Sequence, residues 1–172
     1  MKRTLIVILA LLASLAPLRA QKIGYINTET ILSGIPAYAA AQEQLDALSD
    51  KYKAVIETEM GKIETLYQNY QQNRGSMSSS QRQNAENEII TKERNVQEKQ
   101  KIYFGEEGIM AKKAEELLSP IQDEVDRAIK EVAELGGYDL IIDLAALQGV
   151  VYKNEKLDLT QFVLVRYKEN HN

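Results

Sequence analysis

The side chains able to do chemistry are few and poorly placed for it. The only histidine, His171, is next to the last residue, so no Ser-His-Asp set can be assembled around it. There is no cysteine, and no His/Cys cluster that could hold zinc. The carboxylate pairs Glu106-Glu107 and Glu115-Glu116 fall in helical patterns, where they read as solvated surface. Gly136-Gly137 ends a helix and precedes a strand, which is not the order of a phosphate loop. The inventory argues against an enzyme and implies neither a cofactor nor a metal. What does recur at regular spacing is a surface for contact. Tyr52, Ile56, Met60, Ile63, Tyr67 and Tyr70 follow at intervals of three or four, and Ile89, Val96 and Tyr103 at sevens. Tyrosines at such positions supply large contact area at modest entropic cost. These nine residues are the candidate binding positions.

Two long helices must carry them. From Tyr38 to Val132 the only strong turn signal is Gly75-Ser76-Met77-Ser78-Ser79-Ser80. The spacing predicts antiparallel helices joined near residues 74–79, with a capping box at Ser80 and Gln83. The descending stripe begins at Tyr38, Ala41, Leu45 and Leu48 and continues through the residues above, close to one helical face. Leu45, Leu48, Leu117 and Ile121 read as the seam between the helices near the base. The ascending stripe thins towards the tip, to about one apolar residue per heptad where a tight seam needs two. Gly61, Gly105, Gly108 and the mid-helix Pro120 are candidate hinge positions, with a kink expected at Pro120, where the arm meets the body.

The remainder is small. Residues 1–20 read as a secretory signal: Lys2 and Arg3, an apolar run from Leu5 to Leu15, then cleavage after Ala20. The exported chain then belongs in the periplasm. No later segment is long and apolar enough to cross a bilayer, so no stable membrane insertion is expected. Removing Lys2, Arg3 and Arg19 takes the net charge from −4 to −7, which disfavours nucleic acid as a partner. Residues 21–36 and 134–172 form a body, with the arm spanning 37–133. Three strands are expected, at Lys22–Asn27, Tyr138–Asp143 and Gly149–Tyr152, with a final helix from Thr160 whose Leu159, Phe162 and Val163 face inward. Leu140-Ile141-Ile142 reads as a strand buried on both faces. Three short strands cannot cover themselves, which points to an obligate oligomer with a shared sheet or barrel. The fold class is α+β, mainly α: a coiled-coil-like helical hairpin on a small strand body.

In this order the pieces resemble the Skp/OmpH family of periplasmic chaperones. The resemblance is carried by Lys22-Ile23-Gly24-Tyr25-Ile26-Asn27, by Met77-Ser78 with Arg82, and by Leu118-Ser119-Pro120-Ile121. Ile129–Ala133, Gly137–Asp143, Gly149–Tyr152 and Asp158-Leu159-Thr160 complete it. It implies a homotrimer whose strands close a central barrel, with the hairpins hanging like tentacles around a cavity. Ile23, Tyr25, Ile26, Leu140, Ile141, Ile142, Val150, Val151 and Tyr152 would then lie in the trimerisation body. It also implies an ATP-independent holdase for unfolded outer-membrane β-barrel proteins. The alternative from another class is a structural adaptor of the envelope with one fixed partner. Familiar members are strongly basic, whereas this arm is nearly neutral and the chain acidic. That argues against lipopolysaccharide binding and for capture through apolar and aromatic contacts.

Overall fold

The computed structural model describes residues 21–171. The expected signal peptide lies outside the described residues. Strand β1 (Ile23–Ile26) lies parallel to β2 (Leu140–Asp143), in the register Ile23 with Leu140 through Ile26 with Asp143. Everything between them is helical crossover: α1 (Thr28–Ser33), α2 (Pro36–Asn73), α3 (Ser79–Phe104) and α4 (Ile109–Gly136). A 3-10 turn at Glu155–Leu157 and helix α5 (Thr160–Glu169) follow β2. The long arm is therefore an excursion between two adjacent parallel strands, a pairing that always needs a crossover.

Local chemistry sets the ends. The Asn27 side chain accepts a hydrogen bond from Thr30 N at 2.8 Å and starts α1. Pro36 opens α2, where a missing N–H is harmless. At 38 residues and ~1.5 Å per residue, α2 is roughly 57 Å long. The capping box at the arm's tip is formed by Ser78 and Gln81, two residues before the expected pair Ser80 and Gln83. Ser78 Oγ accepts from Gln81 N at 3.2 Å, and Gln81 Oε1 accepts from Ser78 N at 2.8 Å. The turn closes early because Ser76 N already bonds Asn73 O at 3.0 Å, leaving Ser78 extended at the helix start. Gly137, at φ +64°, ends α4 in the left-handed conformation that glycine adopts without strain.

The ascending arm is two helices rather than one. The interruption, Gly105-Glu106-Glu107-Gly108, is closed by Gly108 N donating to Gly105 O at 2.8 Å. A Cβ at Gly105 would sit 2.5 Å from Lys101 O, and one at Gly108 2.9 Å from backbone atoms of Gly105 and Ile102. Only glycine fits either place. Helix α4, by contrast, runs unbroken through Pro120, whose residue is exposed. The break thus falls at Gly105–Gly108, mid-arm, and not at Pro120 by the body. Gly61 lies inside the continuous α2 and interrupts nothing.

The core belongs to the body. Ile26, Ile31, Ile35, Val125, Ala128, Leu159, Val163, Leu164 and Tyr167 are buried together, with Ile121, Val132 and Ile141 against them. It draws on α4 well inside the stretch assigned to the arm from sequence. Leu159 and Val163 face inward as expected, but Phe162 is 65% exposed, at the wall of an open cleft between α5 and the end of α4 that Val132, Leu135 and Gly136 also line. The third expected strand does not form. Leu159 N donates to Tyr25 O at 2.8 Å and Asp158 bridges Tyr25, so the free side of β1 is taken by the residues before α5. Gly149–Tyr152 has no ladder, and Val151 is fully exposed. Nor is β2 covered on both faces: Leu140 is half exposed and Ile141 and Ile142 are half-buried.

Asp143 ties β2 to α1. Its carboxylate accepts from Thr28 N at 3.1 Å, Thr28 Oγ1 at 2.6 Å and Ala145 N at 3.0 Å. Burial alone would raise its pKa, but the bonds from Thr28 and Ala145 outweigh it and hold the carboxyl below its usual value. A folded-state pKa below the unfolded one means stability that is present at neutral pH and lost as pH falls through the folded value. Asp143→Ala is expected to cost about 1–3 kcal/mol at neutral pH. Urea melts of the two proteins should converge in strong acid, and a gap that persists there would contradict the assignment.

Candidate functional site in the grooves of the arm

The seam of the hairpin selects among the candidate residues. Ile56 and Tyr70 of α2 and Ile89 and Val96 of α3 are each buried, at 7–8% exposure. They hold the arm together, and Ile56 and Val96 also reach the walls of the grooves beside the seam. Tyr52 and Tyr103 stack face to face across the arm, with centroids 4.1 Å apart, and are half-buried. Ile63 is half-buried. Of the nine candidates only Met60 and Tyr67 stand well out, at 53% and 49% exposed. The seam itself runs through Tyr52, Ile56, Glu59, Ile63, Leu66 and Tyr70, all at least half-buried. Steps of 4-3-4-3-4 keep to one face, whereas the stripe read from sequence drifts off it at Met60 and Tyr67.

Polar contacts hold the thin distal seam. Tyr70 donates its hydroxyl to Glu86 across the arm. That bond, helped by burial, raises the pKa of the tyrosine. Glu59 lies 2.9 Å from Lys62 on its own helix and 3.9 Å from Lys99 on α3. The hydrogen bond from Lys62 and the two ammonium charges lower its pKa. One apolar residue per heptad with such bonds between is a seam that closes without excluding grooves beside it.

Two grooves adjoin on the arm. The larger, about 810 Å³, lies between α2 and α3 and is lined by Ile56, Met60, Gly61 and Phe104, with Lys53, Glu57 and Glu64. The second, about 470 Å³, shares Met60, Glu64 and Gln100 and adds Ile63, Val96 and Glu93. The groove lining is mainly apolar, with charges at its edge. Phe104 is 41% exposed, and its ring stands edge-on to both Tyr52 and Tyr103 at 6.5 Å. Phe104, Ile90, Ile102 and Ile109 are exposed apolar residues that the sequence reading did not select. Phe104 and Ile102 directly precede a glycine break, the one signal that could have flagged them. Among the described residues no cluster of His, Cys, Asp or Glu could hold a metal, and no helix is long and apolar enough to cross a membrane.

The body residues divide in two. Tyr25 and Ile26 are buried within the chain, at 7% and 3% exposure. Ile23, Leu140, Val150, Val151 and Tyr152 are exposed apolar residues. Ile141 and Ile142 are half-buried.

Residues 22–167 match the family described as outer membrane protein, OmpH-like. The chaperone protein Skp of Yersinia enterocolitica is 30% identical over 160 residues, covering 91% of this chain and 92% of that protein. Skp of Yersinia pseudotuberculosis is 32% identical over 161 residues, with 93% of each chain covered. A crystal structure from Caulobacter crescentus, described as an OmpH-like outer-membrane chaperone, superposes with a TM-score of 0.65. It covers 88% of this chain and 86% of its own, at 12% identity, and so speaks for the fold alone. The match across the body strands and both limbs of the arm, together with the 30% identity to named relatives, means that this chain belongs to the Skp/OmpH family.

Proposed function

We propose that this protein is an ATP-independent holdase chaperone. It binds unfolded outer-membrane β-barrel proteins in the periplasm and keeps them from aggregating. The observation that carries the reading is the arm: a long helical hairpin, closed along its seam, that leaves Met60, Tyr67, Ile90, Ile102 and Phe104 exposed, with Met60 and Phe104 lining an apolar groove. Unfolded barrel strands present alternating apolar residues and unpaired backbone groups, the surface that such a limb can screen. Many weak contacts give avidity without a tight site, and release needs only a client that folds more favourably in the membrane.

The same reading gives the body its role. Leu140, Val150, Val151 and Tyr152 are exposed in the single chain and would be covered where three chains pool their strands into one barrel. Three arms would then enclose a shared cavity. From Tyr38 to Lys113 the arm carries eleven basic and twelve acidic residues, so capture leans more on apolar and aromatic contact than on the arm's net charge, which offers little to lipopolysaccharide.

The test is light scattering from a barrel protein diluted out of urea, with and without the mature chain, at low and high salt. Suppression at about one trimer per client in both salts is expected if apolar contact dominates. Suppression only at low salt would restore an electrostatic mechanism. No suppression in either would sink the chaperone reading and favour an envelope adaptor with a fixed partner.

A further inference from the structure

An unfolded outer-membrane protein offers many segments, and the groove on the arm is not indifferent among them. Granting the holdase reading, on which this specificity depends, we infer that the groove takes extended segments in which an aromatic side chain neighbours a lysine or arginine.

The floor of the groove points to a flat ring. Gly61 sits in the middle of α2, where glycine is a poor helix former. Nothing in the fold demands it: a Cβ placed there meets no atom within 4 Å. Its effect is to leave bare backbone in the groove, between the side chains of Met60 and Glu64. Bare backbone lets a ligand approach closely, and a planar ring uses that space better than a branched aliphatic. The two apolar neighbours suit a ring as well. Met60 offers an adaptable thioether, which makes favourable contacts with aromatic edges. Phe104 is held edge-on by Tyr52 and Tyr103, so its ring is already positioned for another aromatic.

The edge of the groove points to a cation. Glu57, Glu64 and Glu93 stand along the two adjoining grooves, against Lys53 alone. Lys53 is already 3.6 Å from Asp50. None of the three glutamates is in an ion pair among the described residues, and Glu64 accepts only from Gln68 within its own helix. The groove edge is therefore negative and unmatched, complementary to a basic residue beside the ring and repellent to an acidic one. Outer-membrane strands supply such segments, because aromatic residues cluster where each strand meets the charged interface.

The test uses the full mature chain and labelled extended peptides of one alternating sequence, carrying Tyr-Lys, Leu-Lys or Tyr-Glu at the centre. Fluorescence anisotropy is expected to give about 5- to 10-fold tighter binding for Tyr-Lys than for Leu-Lys. Tyr-Glu should fall behind Tyr-Lys by several-fold at low salt, and the gap should narrow as salt screens it. Gly61→Val should flatten the Tyr/Leu difference, and Glu57→Gln with Glu93→Gln the Lys/Glu difference. Gly61→Ala separates fold from binding: it should melt at a higher temperature than the parent, yet show a reduced preference for the ring. Equal binding of Tyr-Lys and Leu-Lys, or a ring preference that survives in Gly61→Val, overturns the inference. So does self-association without peptide that Phe104→Leu abolishes, since a second copy would then be the occupant. Aggregation suppression with no peptide preference removes this specificity and leaves the holdase reading. Peptide preference without suppression does the reverse.

Discussion

Ile31→Ala is expected to destabilise the chain by about 2–5 kcal/mol, the range for emptying a fully buried aliphatic site. Ile31 is 0% exposed, on the one buried face of the short helix α1. It packs in the same cluster as Val125 and Ala128 of α4 and Val163 and Leu164 of α5. Helix α1 has six residues and cannot follow a shrinking core without losing the ties that hold its start. Asn27 caps its start, and Thr28 hydrogen-bonds Asp143 of β2. The cavity should therefore stay open, which puts the loss in the upper part of the range. For a chain of this size, a fall in melting temperature of roughly 5–15 °C corresponds to it. The control is Met60→Ala on the exposed face of the arm, where about 0.5 kcal/mol or less is expected. Thermal melts of the two variants should differ widely. Equal melts would mean that the body core does not govern stability.

Gly105→Val and Gly108→Val should each cost about 1–3 kcal/mol, the scale for forcing atoms into a filled site. The neighbours met by the added carbon are backbone atoms: Lys101 O at 2.5 Å for Gly105, and Gly105 N, Gly105 O and Ile102 O at 2.9 Å for Gly108. A rotamer change cannot relieve them. The double variant Gly105→Ala with Gly108→Ala tests the same joint from the other side. Alanine favours helix over glycine by about 1 kcal/mol at each position, so the two helices of the ascending limb should fuse through residues 105–108. Fusion rotates α3 against α4 and should break the Tyr52–Tyr103 stack. Far-UV circular dichroism should show added helix, and the near-UV tyrosine signal should fall. Unchanged spectra with unchanged stability would mean that the joint is not held by its glycines.

Much of this architecture is local, and for that reason it is legible along the chain. Proline at 36, the Gly-Ser turn after Asn73 and Gly137 past the end of α4 act through their own backbone, so their positions can be read without neighbours. The stripe of Leu45, Leu48 and Tyr52 has one period because one long helix packs against one partner limb. Residues that depend on a partner strand or a partner limb were read less well. Gly149–Tyr152 has strand composition but no open edge in its own chain, since Asp158 and Leu159 occupy β1. Phe162 has the hydrophobicity of a core residue but stands in an open cleft between α4 and α5, where nothing in the single chain covers it. Four of the nine candidate contact residues, Ile56, Tyr70, Ile89 and Val96, proved to be seam. An apolar stripe does not say which of its members face the partner limb, because a few degrees of drift per turn moves one residue in and the next out.

By itself the sequence determined the helical hairpin, the two segments that became strands and the resemblance to a family. These follow from periodicity, caps and turn residues, which act over a few positions. Only the tertiary structure decided which apolar residues are spent on the seam and which remain as surface. It also decided that the ascending limb breaks at Gly105–Gly108, where backbone crowding admits only glycine, and not at Pro120. The grooves beside Met60, Gly61 and Phe104 exist because the seam closes with about one buried residue per heptad on α3. How two limbs divide their contact is a property of the pair, and neither limb carries it alone.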